Sequence, residues 1–167
     1  KFVNFLCENL VRKKIKKQFG GQLQAFVSGG GALDRKIGEF LNSIGLPTLQ
    51  GYGLTEASPV VSCNLPHNIQ VESVGPPFKT NNVKIAEDGE ILIKGENVML
   101  GYWEKKKETS EVIIDGWLHT GDIGQINHDG NLIITDRKKE LIVNLGGDNI
   151  SPTKIENLLC LSENIKQ

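Results

Sequence analysis

The sequence predicts a mixed α/β (α+β) chain, and three observations predict it. A strand, a helix and a second strand follow one another within about 30 residues, the length of a parallel βαβ unit, and both strands run into glycine. From Val71 the pattern changes to short β segments separated by Asp-Gly turns, which reads as a small antiparallel sheet or barrel. After a charged stretch, Asp136-Arg137-Lys138-Lys139-Glu140, a last strand, glycine turn and helix have too little chain around them to build a core.

The elements follow in order. Phe2 to Phe19 carries Leu6, Leu10, Ile15 and Phe19 near helical spacing, with Arg12, Lys13, Lys14, Lys16 and Lys17 on the opposite, solvated face, and Gly20-Gly21 caps its end. Leu23 to Ser28 is β-leaning and ends at Gly29-Gly30-Gly31. Leu33, Ile37, Phe40, Leu41 and Ile44 repeat at helical spacing until Gly45 and Pro47 stop them. Thr48-Leu49-Gln50 is the second strand, running into Gly51-Tyr52-Gly53. Val83–Ile85, Asp88-Gly89 and Glu90–Ile93 form a hairpin, Val98 to Trp103 another β segment, and Glu104 to Ile113 an exposed helix. Asp115-Gly116 turns the chain into Trp117-Leu118, and Asp129-Gly130 into Leu132 to Thr135. Leu141-Ile142-Val143 is a strand, Gly146-Gly147 a turn, and Ser151-Pro152 starts the last helix, proline being at home in a first helical turn.

Composition narrows the function. Of 167 residues 38% are hydrophobic and 19 are glycine, an ordinary globular balance. Nineteen basic against twenty acidic residues leave a net charge of -1, so no global field recruits nucleic acid. No run approaches the roughly 18 apolar residues of a membrane span. Cys7, Cys63 and Cys160 have no metal-type spacing and read as free thiols of a reducing compartment, the cytoplasm by default.

Three loops could carry chemistry. Ser28-Gly29-Gly30-Gly31 lets a flat or anionic ligand approach the backbone, although a tight structural turn accounts for it equally well. In Gly51-Tyr52-Gly53-Leu54-Thr55-Glu56 the aromatic can stack on a base, the hydroxyl bind a phosphate oxygen and the carboxylate hold Mg²⁺; a buried Tyr followed by an N-capping Thr is the alternative. Asp122, after Gly121, can accept from vicinal ribose hydroxyls. His119 reads as a structural donor, no nucleophile has a triad-like partner, and no His and Cys cluster forms a metal site.

Taken in order, Ser28 to Leu33, Gly51 to Glu56, Gly89-Glu90 with Gly101-Tyr102-Trp103, Trp117 to Asp122 and Asp136 to Glu140 resemble the AMP-binding, adenylate-forming superfamily. The wording from Gly51 to Val61 and from Gly146 to Pro152 is most similar to long-chain fatty acyl-CoA synthetases. The resemblance implies ATP, Mg²⁺ and CoA as cofactor and cosubstrates and a fatty acid as substrate, joined through an acyl-adenylate. It implies that Gly30, Gly31 and Ala32 line one side of the adenine and acyl carbonyl, and Tyr52, flanked by Gly51 and Gly53, the other. Thr55 would contact the α-phosphate, Glu56 bind Mg²⁺, and Asp122 take the ribose hydroxyls with Arg137 behind it. Asp136 would be the hinge and Gly146-Gly147 a loop of the pantetheine channel.

The same resemblance divides the chain into residues 1–68, the end of a large parallel-sheet subdomain; 69–135, a small antiparallel β-barrel; and 136–167, the hinge and first elements of a mobile C-terminal domain. The Ser, Thr and Gly-rich phosphate loop and the C-terminal catalytic lysine of the family are not in this sequence. The chain is therefore expected to be an internal segment that is inactive alone and self-associates through apolar surfaces. A ligase of aryl, short-chain or amino acids, one that loads acyl carrier protein, and a non-catalytic nucleotide-binding module are the alternatives. Lipid substrates bring peripheral membrane contact into question, though no segment requires it.

Overall fold

The computed structural model of the protein describes residues 7–143 and 149–159. A π-helical stretch, Glu8–Arg12, runs into α1 (Lys13–Gln18). The expected glycine cap closes it: Gly20 and Gly21 both have positive φ, and Gly21 N–H donates to the Lys16 carbonyl at 2.9 Å. Strand β1 (Phe26–Ser28), helix α2 (Arg35–Ser43) and strand β2 (Thr48–Gly53) form the expected βαβ unit. The two strands are parallel neighbours, Phe26 opposite Thr48 and Ser28 opposite Gln50. Asp34 caps α2, its carboxylate accepting from Ile37 N–H at 3.0 Å.

Strand β3 (Val60–Cys63) pairs antiparallel with β2, an addition to what the pattern predicts. The chain reverses at Ser58, which takes φ +51 after a 3-10 turn, Thr55–Ala57. Gly53 is required here, because a Cβ on it would collide with the Pro59 carbonyl.

The second sheet comprises β4 (Asn81–Ile85), β5 (Glu90–Gly95), β6 (Ile113–Ile114), β7 (Trp117–Ile126) and β8 (Leu132–Arg137). Its Asp-Gly turns lie where expected. At the β6–β7 turn Asp115 and Gly116 both have positive φ, as a type I′ turn demands. The expectation of a barrel is corrected: among the described residues the sheet stays open. Leu118 pairs with Ile93 on one side and Ile113 on the other, and Ile123 with Glu90 and Asp136. β6 and β8 therefore share one edge of β7 in succession instead of closing on β4. Helix α3 (Lys106–Val112) lies within the predicted range. Val98 to Trp103 is a loop and not a strand, because its polar groups bond elsewhere: Met99 N–H donates to the Glu56 carbonyl at 2.8 Å and Tyr102 N–H to Thr109 Oγ1 at 2.9 Å.

Ala57, Val61, Ile91, Ile93, Leu118 and Leu132 make the core between the two sheets. Burying each of the larger ones is worth about 1.5–3 kcal/mol. The segment after β3 stitches the sheets together, Val74 N–H donating to the Leu132 carbonyl and Phe78 N–H to the Val61 carbonyl. Beyond β8, a 3-10 turn (Lys138–Glu140) leads to β9 (Ile142–Val143), which pairs with β10 (Asn149–Ile150) ahead of α4 (Pro152–Leu159). Gly146-Gly147 and Cys160 lie outside the described residues. Among the described residues no helix is long and apolar enough to cross a membrane.

Candidate functional site

The parallel pairing of β1 and β2 brings both glycine turns to one sheet edge. A Cβ on Gly29 would stand 3.6 Å from the Gly51 carbonyl, and Leu33 N–H donates to Gln50 Oε1 at 3.2 Å. Gly30, Gly31 and Ala32 are exposed between these anchors. Gly30 takes φ +80, and a Cβ on Gly31 would meet nothing within 4 Å, so open space borders this backbone. Carboxyl ends of strands in α/β sheets are where ligands bind.

Tyr52, at the end of β2, crosses to the second sheet. Its hydroxyl donates to Asp122 Oδ2 at 2.6 Å, and Arg137 Nε lies 3.3 Å from Asp122 Oδ1. Asp122 is 8% exposed, and Arg137 stands directly opposite it in the β7–β8 ladder. Burial, then the bond to Asp122, pushes the Tyr52 phenol far above its ordinary value, so it stays a donor. Thr120 Oγ1 donates to the Ile91 carbonyl at 2.8 Å and accepts from Asp122 N–H at 3.1 Å, fixing the backbone beneath the carboxylate. A buried carboxylate held from two sides can accept hydroxyls from a sugar.

Thr55 and Glu56 occupy the 3-10 turn after β2, Thr55 exposed and Glu56 half-buried. Glu56 Oε1 accepts from the Tyr102 hydroxyl at 2.8 Å. That bond, ahead of burial, raises the Tyr102 phenol. A nucleotide-borne Mg²⁺ is commonly held by one or two carboxylates plus phosphates and water, and the residues present fit such an ion: Glu56 offers a half-buried carboxylate with one oxygen oriented by Tyr102.

His119 points its Nδ1 at Glu90 Oε2, 3.1 Å away. Glu90 also accepts from Lys138 Nζ at 2.9 Å and from Gly121 N–H at 2.8 Å, and Lys138 reaches Asp88 at 2.6 Å. Burial alone would raise the Glu90 carboxyl, but Lys138, Gly121 and His119 together hold it below the usual carboxylate range. Asp136 accepts from the Ser151 hydroxyl. A cleft of about 350 Å³ between Ile123, Asp136, Leu141 and Ile155 takes in none of the sequence-expected binding residues.

The structure thus brings Tyr52, Asp122 and Arg137 into contact, sets the two glycine turns side by side, and places Glu56 in the turn that directly follows. It adds Tyr102, Thr120 and Glu90, which the sequence offers only inside its motifs. Gly101-Tyr102 was the available signal for the first of them.

A family model described as AMP-binding enzyme matches residues 1–103. Long-chain-fatty-acid--CoA ligase FadD15 of Mycobacterium bovis is 41% identical over 152 residues, covering 91% of this chain and 25% of its own length. Among solved structures, O-succinylbenzoate Coenzyme A Synthetase (MenE) from Bacillus subtilis in complex with AMP superposes with a TM-score of 0.78 at 30% identity, covering 86% of this chain and 32% of that one. The same synthetase in complex with ATP and magnesium ion gives a TM-score of 0.73 at 32% identity, covering 81% and 30%. The chain spans about a quarter of the length of the curated relative and about a third of the solved structures. With a family model matched over more than half of its residues and the same fold in a synthetase solved with AMP, the chain belongs to the AMP-binding enzyme family.

Proposed function

We propose that the protein carrying this chain is an acid–thiol ligase that activates a fatty acid with ATP and passes the acyl group to CoA. One observation carries the reading: Tyr52, Asp122 and Arg137 converge from two sheets beside the paired glycine turns, with Glu56 in the next turn. The fatty-acid part is supported by the name of the curated relative.

In this reading Asp122 accepts the ribose hydroxyls, with Arg137 balancing its charge. Gly30, Gly31 and Ala32 let the adenine and the acyl carbonyl approach on one side, and Tyr52, held by its hydroxyl, closes the other. Thr55 donates to the α-phosphate. The fatty carboxylate attacks that phosphorus, forming acyl-adenylate and releasing pyrophosphate; the CoA thiol then attacks the acyl carbon and AMP leaves. Mg²⁺ supplies charge neutralisation at the phosphates, and Glu56 would hold it there. The chain divides at 68 and 135 into the end of a large α/β subdomain, a small β subdomain and the start of a mobile domain hinged at Asp136. Work in the cytoplasm fits Cys7 and Cys63, which are free thiols.

The test is CoA-dependent AMP release by the full-length protein offered acids from acetate to palmitate plus aryl and amino acids. Release driven by medium or long acyl chains and lowered about a hundredfold by Glu56→Ala is expected, with none from the isolated chain. Turnover confined to aryl or amino acids would sink the fatty-acid assignment.

A further inference from the structure

One buried carboxylate is left over by the site just described. Glu90 is 4% exposed, and a buried charge is retained only where donors meet it. Its oxygens reach β7 and the turn that follows β8. Oε1 accepts from Gly121 N–H at 2.8 Å, and Oε2 accepts from Lys138 Nζ at 2.9 Å. Gly121 directly precedes Asp122, Lys138 directly follows Arg137, and Asp122 and Arg137 are partners across the β7–β8 ladder. Glu90 therefore grips the chain on both flanks of the same pair.

The β5–β7 register explains why a side chain is needed there. Glu90 stands opposite Ile123 and Leu92 opposite His119, so Ile91 alone faces Thr120, Gly121 and Asp122. Strand β7 bulges at the position that presents Asp122, and Gly121 adopts φ +72 within the bulge. A bulged amide is lifted away from the strand carbonyls and must find another acceptor. Glu90 Oε1 is that acceptor.

We propose that Glu90 is a positioning residue that sets the Asp122 carboxylate for the vicinal hydroxyls of a nucleotide ribose, an inference that rests on the nucleotide reading of Asp122. Without it the Gly121 amide is orphaned, the bulge relaxes and Asp122 leaves its place between Tyr52 and Arg137. Thr55 and Glu56 belong to another element and keep theirs. The loss falls on ribose recognition and not on the acid or CoA.

The test uses the full-length protein and two readouts: KM for ATP against KM for the acid, and calorimetric binding of AMP against 2′,3′-dideoxy-AMP. Glu90→Ala is expected to raise the ATP KM about tenfold, leave the acid KM within about twofold, and shrink the preference for AMP over its dideoxy form about tenfold. Glu90→Gln keeps an oxygen for Gly121 N–H and is expected to recover most of that preference. A folded Glu90→Ala protein with unchanged ATP KM and ribose preference overturns the inference, as does a wild type that binds both nucleotides equally. Glu90→Gln losing as much as Glu90→Ala overturns the Gly121 route. Should Glu90→Ala fail to fold, Glu90→Asp keeps the charge but withdraws it from Gly121. At least about a threefold loss of ribose preference is then expected, and none overturns the proposal. Wild-type protein that shows the ribose preference but turns over no acid removes the ligase reading, while the nucleotide-binding comparison still decides the role of Glu90.

Discussion

Tyr52 donates its hydroxyl to Asp122 Oδ2 at 2.6 Å across 70 positions of sequence, and this bond ties the parallel sheet edge to the bulged strand of the second sheet. Its donor must stay protonated, which makes the bond a source of pH dependence. Burial first, and Asp122 second, hold the phenol well above its ordinary value of 10.0. The folded state thus keeps a proton that the unfolded chain releases above that value. The stabilisation is whole below about pH 10 and declines as pH rises beyond it. Denaturation of the full-length protein between about pH 8 and 11 is expected to show this fall. Tyr52→Phe should cost about 1–2 kcal/mol at the lower end and flatten the slope. Tyr102, raised first by its bond to Glu56 and then by burial, accounts for a remainder. A Tyr52→Phe curve parallel to wild type would refute the assignment.

Glu56 and Tyr102 share a hydrogen bond but are expected to differ in effect. Glu56→Ala should lower pyrophosphate release about a hundredfold, the scale of losing an electrostatic contact to a transition state. Tyr102→Phe removes only the group that orients it, and a loss within about tenfold is expected, with the Mg²⁺ requirement retained. Equal losses would make Tyr102 a direct participant.

Gly31 and Gly53 separate binding from folding. A methyl on Gly31 enters open space, so Gly31→Ala should change stability by less than about 0.5 kcal/mol while weakening nucleotide binding. A methyl on Gly53 drives into the Pro59 carbonyl, so Gly53→Ala should cost about 1–3 kcal/mol of stability. Denaturation and nucleotide titration of both variants decide this; normal nucleotide affinity in Gly31→Ala would remove that turn from the site.

The isolated chain exposes Val27, Ile37 and Phe40 around α2 and β1 at 73%, 52% and 60%. Light scattering is expected to find it self-associated, and Ile37→Lys with Phe40→Lys to return it toward monomer. A monomeric wild-type chain would contradict this.

Glycine punctuation made the first half of the fold legible. The ends of β1 and β2, the cap at Gly20-Gly21 and the Asp-Gly hairpins all announce themselves through residues that permit positive φ or end a periodicity. Strand β3 did not, because Val60–Cys63 is four residues long and its pairing is decided by the backbone crossing at Gly53. Val98 to Trp103 has the composition of a strand, yet its amides go to Glu56 and Thr109, partners that spacing along the chain cannot reveal. The open sheet was likewise hidden, since alternation shows faces and not which edge of β7 each neighbour takes. At the site, Tyr52, Asp122 and Arg137 were readable as motifs. Glu90 stood inside the Gly89-Glu90 motif without a role, because that role exists only once β5 and β7 slip past one another at the bulge.

The 70-position separation of Tyr52 and Asp122 also orders events in time. Asp122 and Arg137 are brought together by a hairpin, and Glu90 joins them from the next strand over. Tyr52 must close a far longer loop, whose entropy is met only when the two sheets dock. In refolding, the carboxylate end is expected to assemble early and the Tyr52 contact last, so recovery of nucleotide binding, followed in time against formation of the sheets, is expected to lag behind it.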